Sequence, residues 1–263
     1  MMRVQPSEFE IFSHQRLTET LGEQYPDLEL RVFDEIDSTN TEAKRMVADG
    51  FFGTCLLLAN QQSGGRGRMG RSFYSPGQTG AYFSILYPAP TGLDTAVTVT
   101  AAAAVAVMRA IRELTGIQTE IKWVNDLYLG GKKIAGILTE AVTAAEGTYV
   151  IVGIGVNLST ADFPGELSSI AGSLKTSEVT AADMAARAFR QLYPFLSDPA
   201  DRSWIEDYRN RSCVLSKEIC WNGESGVCEG RAVGIDEDGA LLAETKNGSL
   251  VRLFSGEISV KAK

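Results

Sequence analysis

Ile121-Lys122-Trp123-Val124-Asn125-Asp126-Leu127-Tyr128-Leu129-Gly130-Gly131-Lys132-Lys133-Ile134-Ala135-Gly136-Ile137-Leu138-Thr139-Glu140 is the stretch that decides the fold. Residues 121–129 read as a strand, with side chains alternating between two faces. Gly130-Gly131 suits a two-residue primed turn. Residues 132–140 return as the partner strand. Residues 149–158 give a third strand, after a turn at Ala145-Glu146-Gly147. The result is an antiparallel meander, which excludes a doubly wound parallel sheet as the core. The expected class is α+β: a mixed, largely antiparallel sheet with helices packed on it.

The turn sets a register. If Leu129 faces Lys132, then Tyr128 faces Lys133 and Asp126 faces Ala135. Alternation places Trp123, Leu127, Leu129, Ile134 and Leu138 on the core face. The other face carries Lys122, Asp126, Tyr128 and Lys133, so Asp126 and Lys133 are diagonal neighbours within reach of one another or of one ligand. A lysine on a polar sheet face is usually only solvated. Here it keeps company with Asn125-Asp126 and with a small pair, Ala135-Gly136, that leaves room for something to lie against the sheet. Downstream, Gly153-Ile154-Gly155-Val156-Asn157 strips one face of side chains at alternate positions. That means either a second ligand space or a bulge or close packing.

Upstream lies Gly65-Arg66-Gly67-Arg68-Met69-Gly70-Arg71-Ser72, three arginines among three glycines. The guanidinium fork suits phosphate and carboxylate, and glycine lets backbone approach a ligand closely. The glycines satisfy G-x-G-x-x-G, yet a dinucleotide site needs a strand before it and a helix after it. Residues 56–59 suit the strand. The following Ser72-Phe73-Tyr74-Ser75-Pro76-Gly77 and Ala81 to Tyr87 read as loop and then strand. No Gly-Lys-Ser/Thr closes a Walker loop. A loop for a small anion remains, against the plain alternative of a solvated basic loop.

Elsewhere, residues 8–24 read as an amphipathic helix and 30–33 as a strand. Asp37-Ser38-Thr39-Asn40-Thr41-Glu42 opens a short helix that ends near Asp49-Gly50, with Thr39 and Glu42 at capping-box spacing. Ala96 to Met108, flanked by Asp94, reads as a buried alanine-rich helix continuing to Gly116. It is too short to span a bilayer, which needs about 20 apolar residues. Residues 177–209 read as two helices broken near Asp198-Pro199. After Cys213 come short strands at 217–221, 226–235, 240–244 and 249–254, the pattern of a small β-barrel. The division expected is a catalytic domain over 1–210 and a barrel over 211–263.

The chain has 263 residues and a formal net charge of -8. Phosphate neutralisation needs a basic surface, so nucleic acid is not the expected main partner. The four cysteines lack C-x-x-C or metal spacing, which fits a reducing cytoplasm. The one histidine, His14, reads as structural or exposed. No signal peptide or membrane span is visible.

The order Ser38-Thr39-Asn40, the Gly65–Arg71 loop, Lys122-Trp123-x-Asn125-Asp126-Leu127 with Lys133-Ile134-Ala135-Gly136-Ile137-Leu138, and Gly153-Ile154-Gly155-x-Asn157-Leu158 resembles the biotin protein ligases. Gly234-Ile235-Asp236 and Gly256-Glu257 extend the resemblance to the C-terminus. It implies a class II synthetase-like catalytic fold with a C-terminal SH3-like barrel. It implies activation of biotin by ATP to biotinyl-5′-adenylate, then transfer to a lysine of a biotin carboxyl carrier domain.

By this resemblance Ser38, Thr39, Asn40 and Gln62 line the biotin head-group end. Arg66 and Arg68 lie in a loop that closes over biotin and adenylate, Lys133 meets the biotin carboxylate and the α-phosphate, and Gly136 shapes the pocket. Arg71, Phe73, Asn125, Asp126 and Asn157 fall to the nucleotide, with Asp126 as the candidate ligand for Mg²⁺. Two positions depart from the family pattern: Phe73 stands where it often has Trp, and Val124 where it usually has Pro. Phenylalanine still stacks on a base, with less area. Valine suits a strand better than proline does, so little change is expected there.

Many such ligases carry an N-terminal DNA-binding domain. The 37 residues before Ser38 are fewer than a usual domain of about 50 and hold no basic helix, so DNA binding is not expected. The resemblance leaves monomer or homodimer open. The rival readings are a lipoate or octanoate ligase or transferase of the same general fold, and a non-catalytic biotin-sensing regulator.

Overall fold

The computed structural model describes residues 5–89, 96–145, 147–223 and 226–260. Asp94 and Glu146, named above beside a helix and in a turn, lie outside them. The chain runs α1 (Glu8–Leu21), β1 (Glu29–Ile36), α2 (Thr39–Ala48), β2 (Cys55–Gln62), β3 (Gly80–Pro88), α3 (Ala96–Thr115), β4 (Glu120–Lys122), β5 (Asp126–Leu129), β6 (Lys132–Ala144) and β7 (Gly147–Asn157). It continues through α4 (Leu167–Ile170), α5 (Ala181–Ser197) and α6 (Ile205–Arg211). Five short strands follow: β8 (Glu218–Gly223), β9 (Gly226–Ile235), β10 (Leu241–Thr245), β11 (Leu250–Leu253) and β12 (Ile258–Val260).

The first seven strands form one sheet in the order β1-β2-β3-β7-β6-β5-β4. Only β1 and β2 pair in parallel; the other five pairings are antiparallel. The α+β expectation holds, with a mixed and largely antiparallel sheet. The last five strands make a separate antiparallel sheet ordered β11-β10-β9-β8-β12. Its last strand, β12, was not anticipated.

Period-two alternation sorts the sheet's side chains onto two faces. On one face Leu56, Leu58, Phe83, Ile85, Val152 and Ile154 join the buried cores of α3 and α5. On the other, Leu57, Leu86, Tyr149 and Ile151 pack on Ala43, Met46 and Val47 of α2. The larger core runs on into the C-terminal sheet through Ile219, Trp221, Ile235 and Leu241.

Three sequence expectations need correction here. Residues 121–129 are not one strand. Trp123-Val124-Asn125 turn the chain, and β4 pairs with β5 through Lys122↔Asp126. The turn is held from outside: Trp123 Nε1 donates to Gly239 O at 2.9 Å and Tyr208 Oη to Val124 O at 3.0 Å. Val124 therefore sits in a turn with a cis Trp123–Val124 peptide, not in a strand.

The expected register holds for Leu129↔Lys132 and Tyr128↔Lys133, around Gly130 and Gly131 at φ 56° and 77°. A bulge then moves Asp126 opposite Gly136 rather than Ala135. One extra residue reverses the facing of everything beyond it. Leu138, expected in the core, instead joins Gly136 on the α2 side and lines a cavity. Finally, the cap of α2 is Ser38, whose hydroxyl accepts from Thr41 N at 3.5 Å. Glu42 pairs with Arg45 rather than closing a box.

Candidate active site

The site lies on the α2 face of the sheet, where glycines interrupt the side-chain carpet. A Cβ at Gly153 would overlap the Asn40 amide, and one at Gly155 would overlap the Phe73 ring. The alternate glycines thus serve close packing and also a cavity, which Gly153 and Gly155 line between those side chains.

The N-terminus of α2 is a buried polar seat. Ser38, Thr39 and Asn40 are 2%, 3% and 4% exposed. Gln62 Oε1 accepts from Thr39 N at 2.9 Å and Thr39 Oγ1 at 3.2 Å. Ser84 Oγ lies 2.6 Å from both Thr39 Oγ1 and Asn40 Oδ1. Asn40 Nδ2 donates to Glu140 Oε2 at 3.0 Å and Leu138 O at 3.3 Å. Thr39, Asn40 and Ser84 are each placed by other polar groups, as burial requires.

The arginine loop is a curl closed on itself. Gly67 N donates to Arg71 O at 2.7 Å, and Phe73 N to Gly65 O at 2.9 Å. Its glycines do different jobs. A Cβ on Gly65 would overlap Phe73 O, while Gly70 is needed for φ 74°. A single 3₁₀ turn at Arg68–Gly70 follows, not a helix, so no dinucleotide fold forms. The three guanidinium groups spread out. Arg66 lies 3.4 Å from Glu140, Arg68 donates to Asn125 Oδ1 at 3.2 Å, and Arg71 pairs with Glu257 at 2.7 Å.

The β5–β6 hairpin supplies the third side. Lys133 Nζ meets Asp126 Oδ1 at 2.7 Å, the pairing expected from the turn register. Gly136 makes room for that lysine: a Cβ there would sit 3.1 Å from Lys133 Nζ and 3.4 Å from Phe73. Asn125 is fixed through Nδ2 to Ile137 O at 3.0 Å.

These three sides enclose two adjoining cavities. The smaller, about 460 Å³ to its open mouth, is lined by Ser38, Thr39, Asn40, Gln62, Arg66, Arg68, Lys133 and Gly136, all the residues expected around biotin. The larger, about 1280 Å³, is lined by Arg68, Arg71, Phe73, Asn125, Asp126, Lys133 and Asn157, all those expected around the nucleotide. Arg68, Phe73, Asn125 and Lys133 belong to both. Asn157 donates to Gly172 O at 2.9 Å, and its Oδ1 has no partner among the described residues.

Several participants escaped the sequence reading. Ser84 is wholly buried and joins Thr39 to Asn40; a lone serine inside Tyr82-Phe83-Ser84-Ile85-Leu86 was its only signal. Glu140 holds Asn40 and Lys44 from behind the smaller cavity's lining. Burial pushes its carboxyl up, but hydrogen bonds from Lys44 and Asn40 and the charges of Lys44 and Arg66 outweigh this. The carboxyl is held below its ordinary range. Gly256 to Ser259 bring the C-terminal sheet to the wall of the larger cavity.

Among the described residues no group of three or more His, Cys, Asp or Glu side chains is placed to hold a metal. Asp126 offers one carboxylate, already paired with Lys133. One carboxylate is in keeping with magnesium brought in on nucleotide phosphates, which uses one or two. No helix among these residues is long and apolar enough to cross a membrane. All four cysteines are free thiols.

Comparison with known proteins gives two family matches: the biotin/lipoate A/B protein ligase family over residues 32–157 and the biotin protein ligase C-terminal domain over 221–261. The bifunctional ligase/repressor BirA of Bacillus subtilis is 32% identical over 256 residues, covering 92% of this chain and 76% of that protein. The biotin–[acetyl-CoA-carboxylase] ligase of Paracoccus denitrificans is 32% identical over 231 residues, covering 82% and 94%. Among solved structures, the biotin protein ligase of Aquifex aeolicus in complex with biotin and ATP matches with a TM-score of 0.75 and 28% identity, over 89% of this chain and 99% of that one.

Proposed function

The chain belongs to the biotin protein ligase family, and from that premise we propose that its two adjoining cavities take biotin and ATP and join them across a shared wall. The protein is an ATP-dependent biotin ligase. What carries the assignment of residues is the shared wall: Arg68, Phe73, Asn125 and Lys133 touch both cavities, so a group spanning the two meets them.

In the first half-reaction the biotin carboxylate attacks the α-phosphate of ATP and pyrophosphate leaves. Two anions must approach one another. Lys133, with Arg66 and Arg68, screens that repulsion and holds the charge that builds on the α-phosphate. Asp126 keeps Lys133 Nζ at the boundary until the substrates arrive. Asn157 Oδ1 offers an acceptor on the nucleotide side. Asp126 would be the carboxylate available to a Mg²⁺ ion brought in on the nucleotide, which would supply neutralisation of the pyrophosphate charge.

In the second half-reaction a lysine amine of a biotin carboxyl carrier domain attacks the acyl carbon and AMP leaves. The mixed anhydride is destroyed by water, so the arginine loop serves as a cover. Phe73 is the base-side ring. In this structure it lies against Gly155 with its edge toward Tyr82, ring centroids 6.3 Å apart.

Residues 1–210 are the catalytic unit of this reading, and 211–263 complete the nucleotide wall through Gly256 to Ser259. Free thiols support a reducing, cytoplasmic setting. The segment before Ser38 supports a ligase without DNA binding by these residues. Its helix α1 has acids in the first turn and no basic residue in the last, and Arg16 is committed to Asp183 at 2.7 Å.

The test is biotin-dependent exchange of labelled pyrophosphate into ATP, with lipoate and octanoate in parallel. Exchange with biotin alone is expected. Exchange with lipoate would mean the smaller cavity has been misread. Tight biotin binding without exchange would favour a sensing role.

A further inference from the structure

We propose that Glu140 is a positioning residue for biotin recognition: its carboxylate fixes the orientation of the Asn40 amide and seats Arg66 of the loop beside the head-group end of the smaller cavity. This rests on the reading that biotin occupies that cavity.

Glu140 stands on β6 on the same face as Gly136 and Leu138, the face turned toward α2. Three donors converge on it from two other segments. Asn40 Nδ2 meets Oε2 at 3.0 Å, and Lys44 Nζ meets Oε1 at 2.7 Å, both from α2. Arg66 Nη2 lies 3.4 Å from Oε1, from the loop. The carboxylate is the point where helix, sheet and loop meet.

The consequence for Asn40 is directional. An amide can present either its oxygen or its NH₂ to a partner, and its neighbours decide which. Glu140 Oε2 and Leu138 O are both acceptors, so NH₂ must face them. Oδ1 is then turned to Ser84, and through Ser84 to Thr39. The bare Gly153 leaves the space in which the amide lies.

A cyclic urea presents one carbonyl acceptor flanked by two N–H donors. It is recognised only by a seat whose donors and acceptors are in fixed order, because a buried mismatch leaves a polar group unpaired. Glu140 sets that order without lining the cavity itself.

Arg66 is held by charge. Without Glu140, Lys44 and Arg66 would be neighbouring cations with no carboxylate between them, and the loop's first arginine would swing to solvent. Against its burial, hydrogen bonds from Lys44 and Asn40 and the charges of Lys44 and Arg66 hold the Glu140 carboxyl below its ordinary range.

The experiment compares Glu140→Ala and Glu140→Gln with the parent by pyrophosphate exchange, biotin calorimetry and thermal melting. Lys44→Gln is compared with them because it removes a donor from Oε1 and leaves the carboxylate in place for Asn40 and Arg66. Glu140→Ala is expected to raise the KM for biotin by about ten- to a hundredfold, the loss expected for hydrogen bonds to a charged group. The KM for ATP should stay within about twofold, because Arg66 lines the smaller cavity and not the larger; its part at the α-phosphate would show in kcat. Glu140→Gln, which keeps an acceptor for Asn40 but no charge for Arg66, should fall between. Lys44→Gln, which leaves the carboxylate for Asn40 and Arg66, should raise the biotin KM less than Glu140→Ala does.

A parallel rise in both KM values, or a fall in melting temperature alone, would show a merely structural glutamate and overturn the proposal. So would a Glu140→Gln protein that binds biotin as the parent does. If the parent itself neither bound biotin nor supported exchange, the cavity assignment would fall, and this proposal with it.

Discussion

On the side of the cleft formed by the sheet and the start of α2, Ser38, Thr39 and Asn40 are 2%, 3% and 4% exposed, with Ser84 joining Thr39 to Asn40, Gln62 holding Thr39 and Glu140 holding Asn40. On the loop side, Met69 is 69% exposed, and Arg66, Arg68 and Arg71 reach out to Glu140, Asn125 and Glu257. The first wall is held by burial. Moving any member strands a polar group, at a cost of about 1–3 kcal/mol. The second is held by exposed contacts such as the Arg71 pair, the kind worth about 0.2–1 kcal/mol. An incoming anion can take the arginines from their present partners, but it must accept the sheet wall as it finds it. Selectivity for the acid therefore belongs to the sheet, and retention of its adenylate to the loop.

Lys133 joins the two walls, so its loss should be the largest effect. Lys133→Ala is expected to cut pyrophosphate exchange by about 10²–10³-fold or more, the usual consequence of deleting a preorganised charge at the reacting centre. Melting should fall modestly while the fold stays intact, since the buried Asp126 Oδ1 loses its cation. A variant within tenfold of the parent would remove Lys133 from the chemistry.

The contrast between the walls can be sharpened with two glycines. Gly153→Ala would push a methyl group into the Asn40 amide. Overpacking of this kind costs about 1–3 kcal/mol, and the biotin KM should rise with it. Gly67→Ala on the loop meets nothing closer than Arg71 O at 3.4 Å. Its φ of -122° suits any residue, so little change is expected. Equal effects of the two substitutions on biotin KM would erase the distinction between a packed wall and a pliable loop.

Arg68→Gly probes the loop where it meets both cavities. Its guanidinium holds Asn125 across the mouth shared by both cavities. The variant should still form adenylate but release it, labelling lysines on bystander proteins several-fold more than the parent does. Retention equal to the parent's would mean the cover lies elsewhere.

What was legible in the sequence follows the same divide between local and distant causes. The Gly130-Gly131 turn, the Tyr128↔Lys133 pairing and the reach of Lys133 to Asp126 are local matters of turn chemistry and period two. The Trp123–Asn125 turn was read as strand because its residues alternate like one. It turns because Trp123 is anchored to Gly239 and Val124 to Tyr208, residues more than 80 positions away. The bulge at Ile134-Ala135 was hidden because both residues are apolar and both are buried. Ser84 and Glu140 act only through partners that the fold brings to them. The motif residues were found because the family resemblance carries them, and the residues that hold them in place were not.

The smallest predicted effect lies in the frame behind both walls. Thr180 and Asp183 form a capping box at the start of α5, and Asp183 also receives Arg16 of α1 at 2.7 Å. Burial pushes the Asp183 carboxyl up, but hydrogen bonds from Thr180 and Arg16 and the Arg16 charge outweigh it, leaving the carboxyl below its ordinary value. A folded-state pKa below the unfolded one, near 3.9, means the stabilisation is present above that unfolded value and is lost as pH falls through the folded one. Asp183→Asn should therefore cost on the order of 1 kcal/mol at neutral pH, the scale of a cap. The gap from the parent should close as the medium is acidified below about pH 4. Denaturant melts at several pH values would read this. The biotin KM at neutral pH should not move with it, because Asp183 touches neither wall; if it did, the frame and the sheet wall would be one cooperative unit, and the selectivity assigned to the wall would have to be shared with the helices behind it.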